Sequence, residues 1–131
     1  MHFFIPMKQI PTVTSQEKGI NFDTRRVYEK PEIKEARAKY RAALMGKQPN
    51  SPITGPVRLV VEWIFRAPES LKKGTYWKTS KPDTDNMIKL LKDVMTELGF
   101  WKDDAQVAWE DSKKVYGNFP GIFIEVEELE V

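Results

Sequence analysis

The spacing of hydrophobic and polar positions changes several times along this chain, and each change marks an element. Val57 to Phe65, VRLVVEWIF, is a dense β-branched and aromatic run, and it is expected to be a central strand. From Thr84 to Leu98 the apolar residues Met87, Leu90, Leu91, Val94 and Leu98 return at helical spacing, and Gly99 follows as a stop in the left-handed conformation. The same spacing predicts an earlier helix from Pro31 to about Met45, ended by Gly46. Its buried face would be Ile33, Ala36, Tyr40, Ala43 and Leu44.

The other segments carry weaker patterns. FFIPMKQIPTV (3 to 13) mixes β-favouring residues with two prolines, as an irregular edge strand does. TSQEKGINFDTRR (14 to 26) has loop composition and ends in the basic pair Arg25 and Arg26. KQPNSPITGP is a turn-rich connector before the central strand. AQVAWEDSKKVY and GIFIEVEEL read as two strands joined by a Gly-Asn-Phe-Pro-Gly turn, which predicts a closing antiparallel hairpin. No repeat and no low-complexity stretch interrupts the chain. The fold class expected is α+β, a mixed β-sheet with packed helices in one domain spanning residues 1–131.

Composition narrows the chemistry. There is no cysteine, and the one histidine, His2, lies near the terminus, so a thiolate or imidazole site is disfavoured and any metal would be held by oxygen. MHFFIPMK is too short an apolar run for a signal peptide, and no stretch approaches the ~20 apolar residues that span a bilayer, so a soluble cytoplasmic protein with no membrane partner is expected. The net charge of +2 hides an asymmetry, because GIFIEVEELEV holds four Glu and no base. The rest is correspondingly basic. Lys30, Lys34, Arg37 and Arg41 form a stripe on the first helix, which read alone is a solvated surface with Glu32 and Glu35 as partners. Between Arg66 and Lys81, bases including Lys72, Lys73 and Lys78 interleave with Tyr76 and Trp77, a mixture suited to backbone attraction plus base stacking. An ordinary long loop with its aromatics packed inward is the equal alternative.

Acidic residues supply the candidate chemistry. Asp83 and Asp85 enter at the start of the second helix, and Asp103 and Asp104 follow Gly99. One or two acids at a helix start are ordinarily caps, favoured by the free N–H groups and the macrodipole. If both pairs line the same rim of the sheet, carboxylates ~4 Å apart at an effective dielectric near 20 repel by about 4 kcal/mol and call for a cation among them. Mg²⁺ suits such oxygen ligands. Asp85, Lys89 and Asp93 form an i, i+4, i+8 row, which by geometry alone is a surface ion-pair ladder. Trp101, just after the helix, reads as core packing.

KPDTDNMIK, then Asp93, then GFWKDDAQV resembles the signature of the RusA family of Holliday-junction resolvases, densely over residues 81 to 107 and more weakly over most of the chain. Thr84 departs from the apolar residue more usual between the two acids, and the N-terminal third is least family-like. The resemblance implies a homodimer that binds four-way DNA junctions and, with Mg²⁺ or with Mn²⁺ in its place, cuts two opposed strands symmetrically, without a small organic cofactor. Carried over by position, Asp83, Asp85 and Asp104 match the essential acids and metal ligands, and Lys89 the essential lysine; Asp103 and Asn86 take supporting roles. Lys34, Arg37, Arg41, Lys72, Lys73 and Lys78 are expected on the DNA backbone. Two alternatives remain open: a junction-binding architectural protein without nuclease activity, and a metal nuclease acting on flaps or forks.

Overall fold

The computed structural model describes residues 1–12, 18–21 and 26–131. In chain order the elements are β1 (His2–Pro6), β2 (Lys18–Asn21), β3 (Arg26–Glu29), α1 (Pro31–Leu44), β4 (Val57–Phe65), α2 (Thr84–Glu97), a 3-10 turn (Asp104–Gln106), β5 (Val107–Tyr116) and β6 (Gly121–Glu128). Four strands form one mixed sheet in the order β1-β6-β4-β5, with β4 and β5 parallel and the other neighbours antiparallel. This is the α+β architecture the sequence leads one to expect.

Strand β4 is central because its alternate residues Val57, Leu59, Val61 and Trp63 are fully buried and continue into the side chains of both helices. Helix α1 contributes Ile33, Ala36, Tyr40 and Leu44, and α2 contributes Met87, Leu90, Leu91 and Val94, as their periodicity requires, together with Ile88 and Met95. Gly46 and Gly99 both stand at positive φ, +91° and +87°, where a residue with a Cβ would be strained. Trp101 is buried and donates from Nε1 to Thr96 Oγ1 at 2.7 Å, so it is a core residue with its one polar atom satisfied.

Two expectations change. The closing hairpin does not form: β5 and β6 flank β4 on opposite sides instead of pairing with each other. Residues 117–120 step across the end of β4, where Gly117 N–H donates to the Phe65 carbonyl at 2.9 Å. The burial patterns give the reason, since β6 is mostly buried and takes an inner place between β4 and β1, whereas β5 is mostly exposed and fits an edge. Part of the stretch read as a loop is also strand, for Lys18–Asn21 pairs antiparallel with Arg26–Glu29, and four-residue strands are too short to show a period. The loop reading over 14–17 and 22–25, with Arg25, lies outside the described residues.

Helix α2 runs antiparallel to its sheet neighbours β4 and β5. Its start lies by the end of β5, where Lys114 Nζ reaches the Pro82 carbonyl, and further along Lys92 pairs with Glu110 at 2.8 Å. Opposite ends of α2 therefore look toward opposite ends of the sheet.

Candidate active site

Asp83 is the N-cap residue of α2 by backbone conformation, yet its side chain makes no cap hydrogen bond. The plain reading of Asp83 as a cap is not realised, and its carboxylate stays exposed. Asp85, in the first turn, is exposed as well, while Asn86 beside it is half-buried. Lys89 stands exposed one turn further on, and among the described residues it closes no ion pair with Asp85 or Asp93. The surface ladder is thus a row of charges without contact, available to a ligand.

Asp103 and Asp104 behave differently from each other. Asp103 caps the 3-10 turn, accepting from Ala105 N–H at 2.9 Å in a reciprocal capping box with Gln106. Gln106 Oε1 accepts from the N–H groups of Lys102 and Asp103 at 2.8 and 2.9 Å, and its Nε2 donates to the carbonyls of Ile53 and Gly55 at 2.8 and 3.0 Å. The turn is thereby tied to the connector before β4, and Asp104 is presented from a fixed base with its side chain exposed.

Asp104 shares a cleft with Asp93 and acts on its carboxyl. Burial raises the Asp93 carboxyl above its ordinary pKa; Arg37 opposes this, the Asp104 charge adds to it, Lys89 opposes and Glu97 adds again. An open cleft of about 680 Å³ is lined there by Arg37, Asp93, Thr96, Glu97, Lys102, Asp103 and Asp104. Asp93 lies eight residues beyond Asp85, about 12 Å along the axis at 1.5 Å per residue. Asp83 and Asp85 stand at the start of α2 and Asp104 by its later turns, and among the described residues no group of three or more acids or histidines is placed to hold a metal ion. The donor chemistry suits a hard cation, but their placement within one chain does not complete such a site.

The basic residues fall into two groups. Arg37 Nη1 and Arg41 Nη2 both reach the Glu97 carboxylate, the former at 3.0 Å, so two members of the α1 stripe are engaged across to α2 while Lys34 is exposed. In the segment before α2, Lys72 and Lys73 are exposed, and Lys78 donates to Ser80 Oγ at 2.8 Å beneath the rings of Phe65 and Tyr116. Tyr76 and Trp77 are 44% and 59% exposed, so they do not pack back into the core; they meet edge to face at 4.9 Å. Two side chains near this region escaped the sequence reading. Phe119, at the turn between β5 and β6, is 81% exposed, and the only signal for it was an aromatic inside a turn. Lys114, one of many lysines by composition, lies hydrogen-bonded just ahead of Asp83.

Exposed carboxylates and a lysine at the start of α2, near a basic and aromatic segment, are groups that phosphodiester cleavage can use. The chain belongs to the RusA family: the family model described as Endodeoxyribonuclease RusA matches residues 9–127. It is 35% identical over 133 aligned residues to the crossover junction endodeoxyribonuclease rusA of Lactococcus phage r1t, with 97% of each chain covered. It is also 33% identical over 109 residues to the uncharacterized protein YqaN of Bacillus subtilis (strain 168), covering 72% of this chain and 76% of that one. Nucleases of this kind generally use a divalent metal ion.

Proposed function

We propose that the protein is a Mg²⁺-dependent, structure-specific endonuclease that resolves four-way DNA junctions by paired symmetric nicks, acting as a cytoplasmic homodimer in recombination and repair. The observation that carries this reading is the pair Asp83 and Asp85, exposed at the start of α2 with no capping bond made by Asp83. Kinship to a phage crossover junction endodeoxyribonuclease over almost the whole chain supports the junction as substrate.

Asp83, Asp85 and Asp104 are the carboxylates assigned to the cation, with Mn²⁺ able to replace Mg²⁺. When bound, such an ion polarises a phosphodiester and lowers the pKa of water. Asp104 stands beside Asp93 on the later turns of α2, and its share in the site is what the Asp104→Asn protein tests. Lys89, unpaired in its row, is assigned to the phosphate, where an ammonium stabilises charge that grows as the bond breaks. Lys34, Lys72 and Lys73 attract the DNA backbone, with Lys78, Arg37 and Arg41 joining only by exchanging their present partners.

Asp85→Asn and Asp104→Asn proteins should each lose cleavage of a synthetic junction by at least about 100-fold, as loss of a charge-stabilising group does. Junction affinity without metal should stay within about threefold, a change of under 1 kcal/mol. An Asp104→Asn protein that cuts at the normal rate would remove Asp104 from the site. A protein that binds junctions tightly and cuts none in Mg²⁺ or Mn²⁺ would be architectural, and one that cuts flaps or forks alone would keep the chemistry and change the substrate.

A further inference from the structure

The segment that leads into α2 is fastened to β5. Tyr116 N–H donates to the Tyr76 carbonyl at 2.7 Å, Lys78 N–H donates to the Lys114 carbonyl at 3.1 Å, and Trp77 bridges antiparallel to Val115. These bonds lay the segment along the outer edge of β5. Past that point the main-chain pairing stops and a side chain takes over. Lys114 Nζ donates to the Ser80 carbonyl and to the Pro82 carbonyl, each at 2.7 Å.

The position of this ammonium is unusual for a surface lysine. Lys114 is paired in register with Trp63, a buried residue on the helix-covered side of β4, so its stem rises on that same side toward the start of α2. A positive charge beside a helix N-terminus gains nothing from the macrodipole and opposes it. It closes no ion pair with a carboxylate among the described residues, and two of its three donors are taken by the carbonyls. Pro82, buried, immediately precedes Asp83, and Asp85 follows two residues later. Two short bonds thus fix the backbone from which both carboxylates project.

We propose that Lys114 is a positioning residue for strand cleavage, clamping the Ser80 and Pro82 carbonyls so that Asp83 and Asp85 are held in working geometry. This rests on the reading of Asp83 and Asp85 as reaction carboxylates. Displacement of a reacting group by ~1 Å costs about 100-fold in rate, so a loosened clamp shows in turnover before it shows in binding.

The test compares Lys114→Met, which keeps the stem and removes the donors, with Lys114→Arg, which keeps charge and donors. Single-turnover cleavage at saturating junction, metal-free junction affinity with its salt dependence, and amide hydrogen exchange are measured on each. Lys114→Met is expected to cut about 10- to 100-fold more slowly. Its affinity and salt slope should be unchanged, and Lys114→Arg should recover most of the rate. Exchange at the Met87 amide, which donates to the Asp83 carbonyl at 3.2 Å, should quicken while that of β4 does not. If Lys114→Met does not fold, Lys114→Leu, which also lacks donors, carries the same comparison.

A normal rate in Lys114→Met overturns the proposal. So does a loss confined to affinity, with the salt slope reduced by about one, because that marks an ammonium bound to a phosphate. Should the wild-type protein cut no branched DNA, the functional reading falls by itself, and unchanged Met87 exchange in Lys114→Met then overturns the clamp independently.

Discussion

A carboxylate at a helix start ordinarily accepts from the free N–H groups there, and Asp83 does not. Its oxygens are therefore not used up by the helix start and stay open to a ligand. Asp93 is the contrasting case, half-buried and raised above the ordinary carboxyl pKa mainly by burial. A carboxyl whose folded pKa is raised destabilises the fold while ionised, above that pKa, and the cost is relieved as pH falls through it. Asp93→Asn should therefore raise the melting temperature at neutral pH, with the advantage vanishing in acid; a lower melting temperature at neutral pH would mean that Arg37 and Lys89 outweigh burial. Gln106 is legible in the sequence only as part of a motif, and its structural task appears once four hydrogen bonds are seen to converge on it. Gln106→Ala should cost about 2 kcal/mol in denaturant unfolding, since several net bonds of roughly 0.5–1.5 kcal/mol disappear together.

At the scale of elements, both helices were readable because burial on one face writes itself into the 3.6-residue period, and α2 buries the residues its spacing names. Strand partners were not readable in the same way. Period tells which side of a strand is buried but not which strand lies next to it, and so the predicted hairpin gives way to β4 lying between β5 and β6. The segment before α2 carried base-rich composition, while its attachment to β5 depends on main-chain groups that composition does not encode. Its exposed aromatics make a measurable prediction. Trp77 and Trp109 are 59% and 50% exposed, whereas Trp63 and Trp101 are buried, so iodide should quench only the first two. Junction binding should shield Trp77, and a Trp77→Phe protein should lose that protection; unchanged quenching on binding would place the DNA elsewhere. Replacing Lys72 and Lys73 by Gln should reduce the salt slope of binding by about 0.9 for each phosphate that is no longer neutralised. The Arg37 and Arg41 pair should contribute less, being held by Glu97.

At the scale of the molecule, charge and topology together restrict where DNA can lie. On the side of the sheet away from the helices, Arg58 is surrounded by Asp111, Glu125 and Glu127 at 4.0, 3.7 and 3.3 Å, and a phosphate backbone would meet net negative charge there. The α2 side remains, with its row of acids and Lys89. The acids can be named from the sequence residue by residue, but their placement along α2, with Asp104 by Asp93, depends on the fold and not on spacing. If two copies complete each site, mixing Asp85→Asn with Asp104→Asn chains restores activity: each mixed dimer has one site with both acids intact and one with neither. Random pairing gives roughly a quarter of the wild-type sites, seen as single nicks. No recovery after verified exchange of chains would place all three acids within one subunit.

The measurement that bears most directly on the account is cleavage of a synthetic mobile four-way junction in Mg²⁺ by wild-type and Asp85→Asn proteins, with linear duplex and flap controls. Paired symmetric nicks in the junction alone, absent with Asp85→Asn, are the predicted result. Equal cutting of linear duplex, or nicking that survives Asp85→Asn, would contradict it.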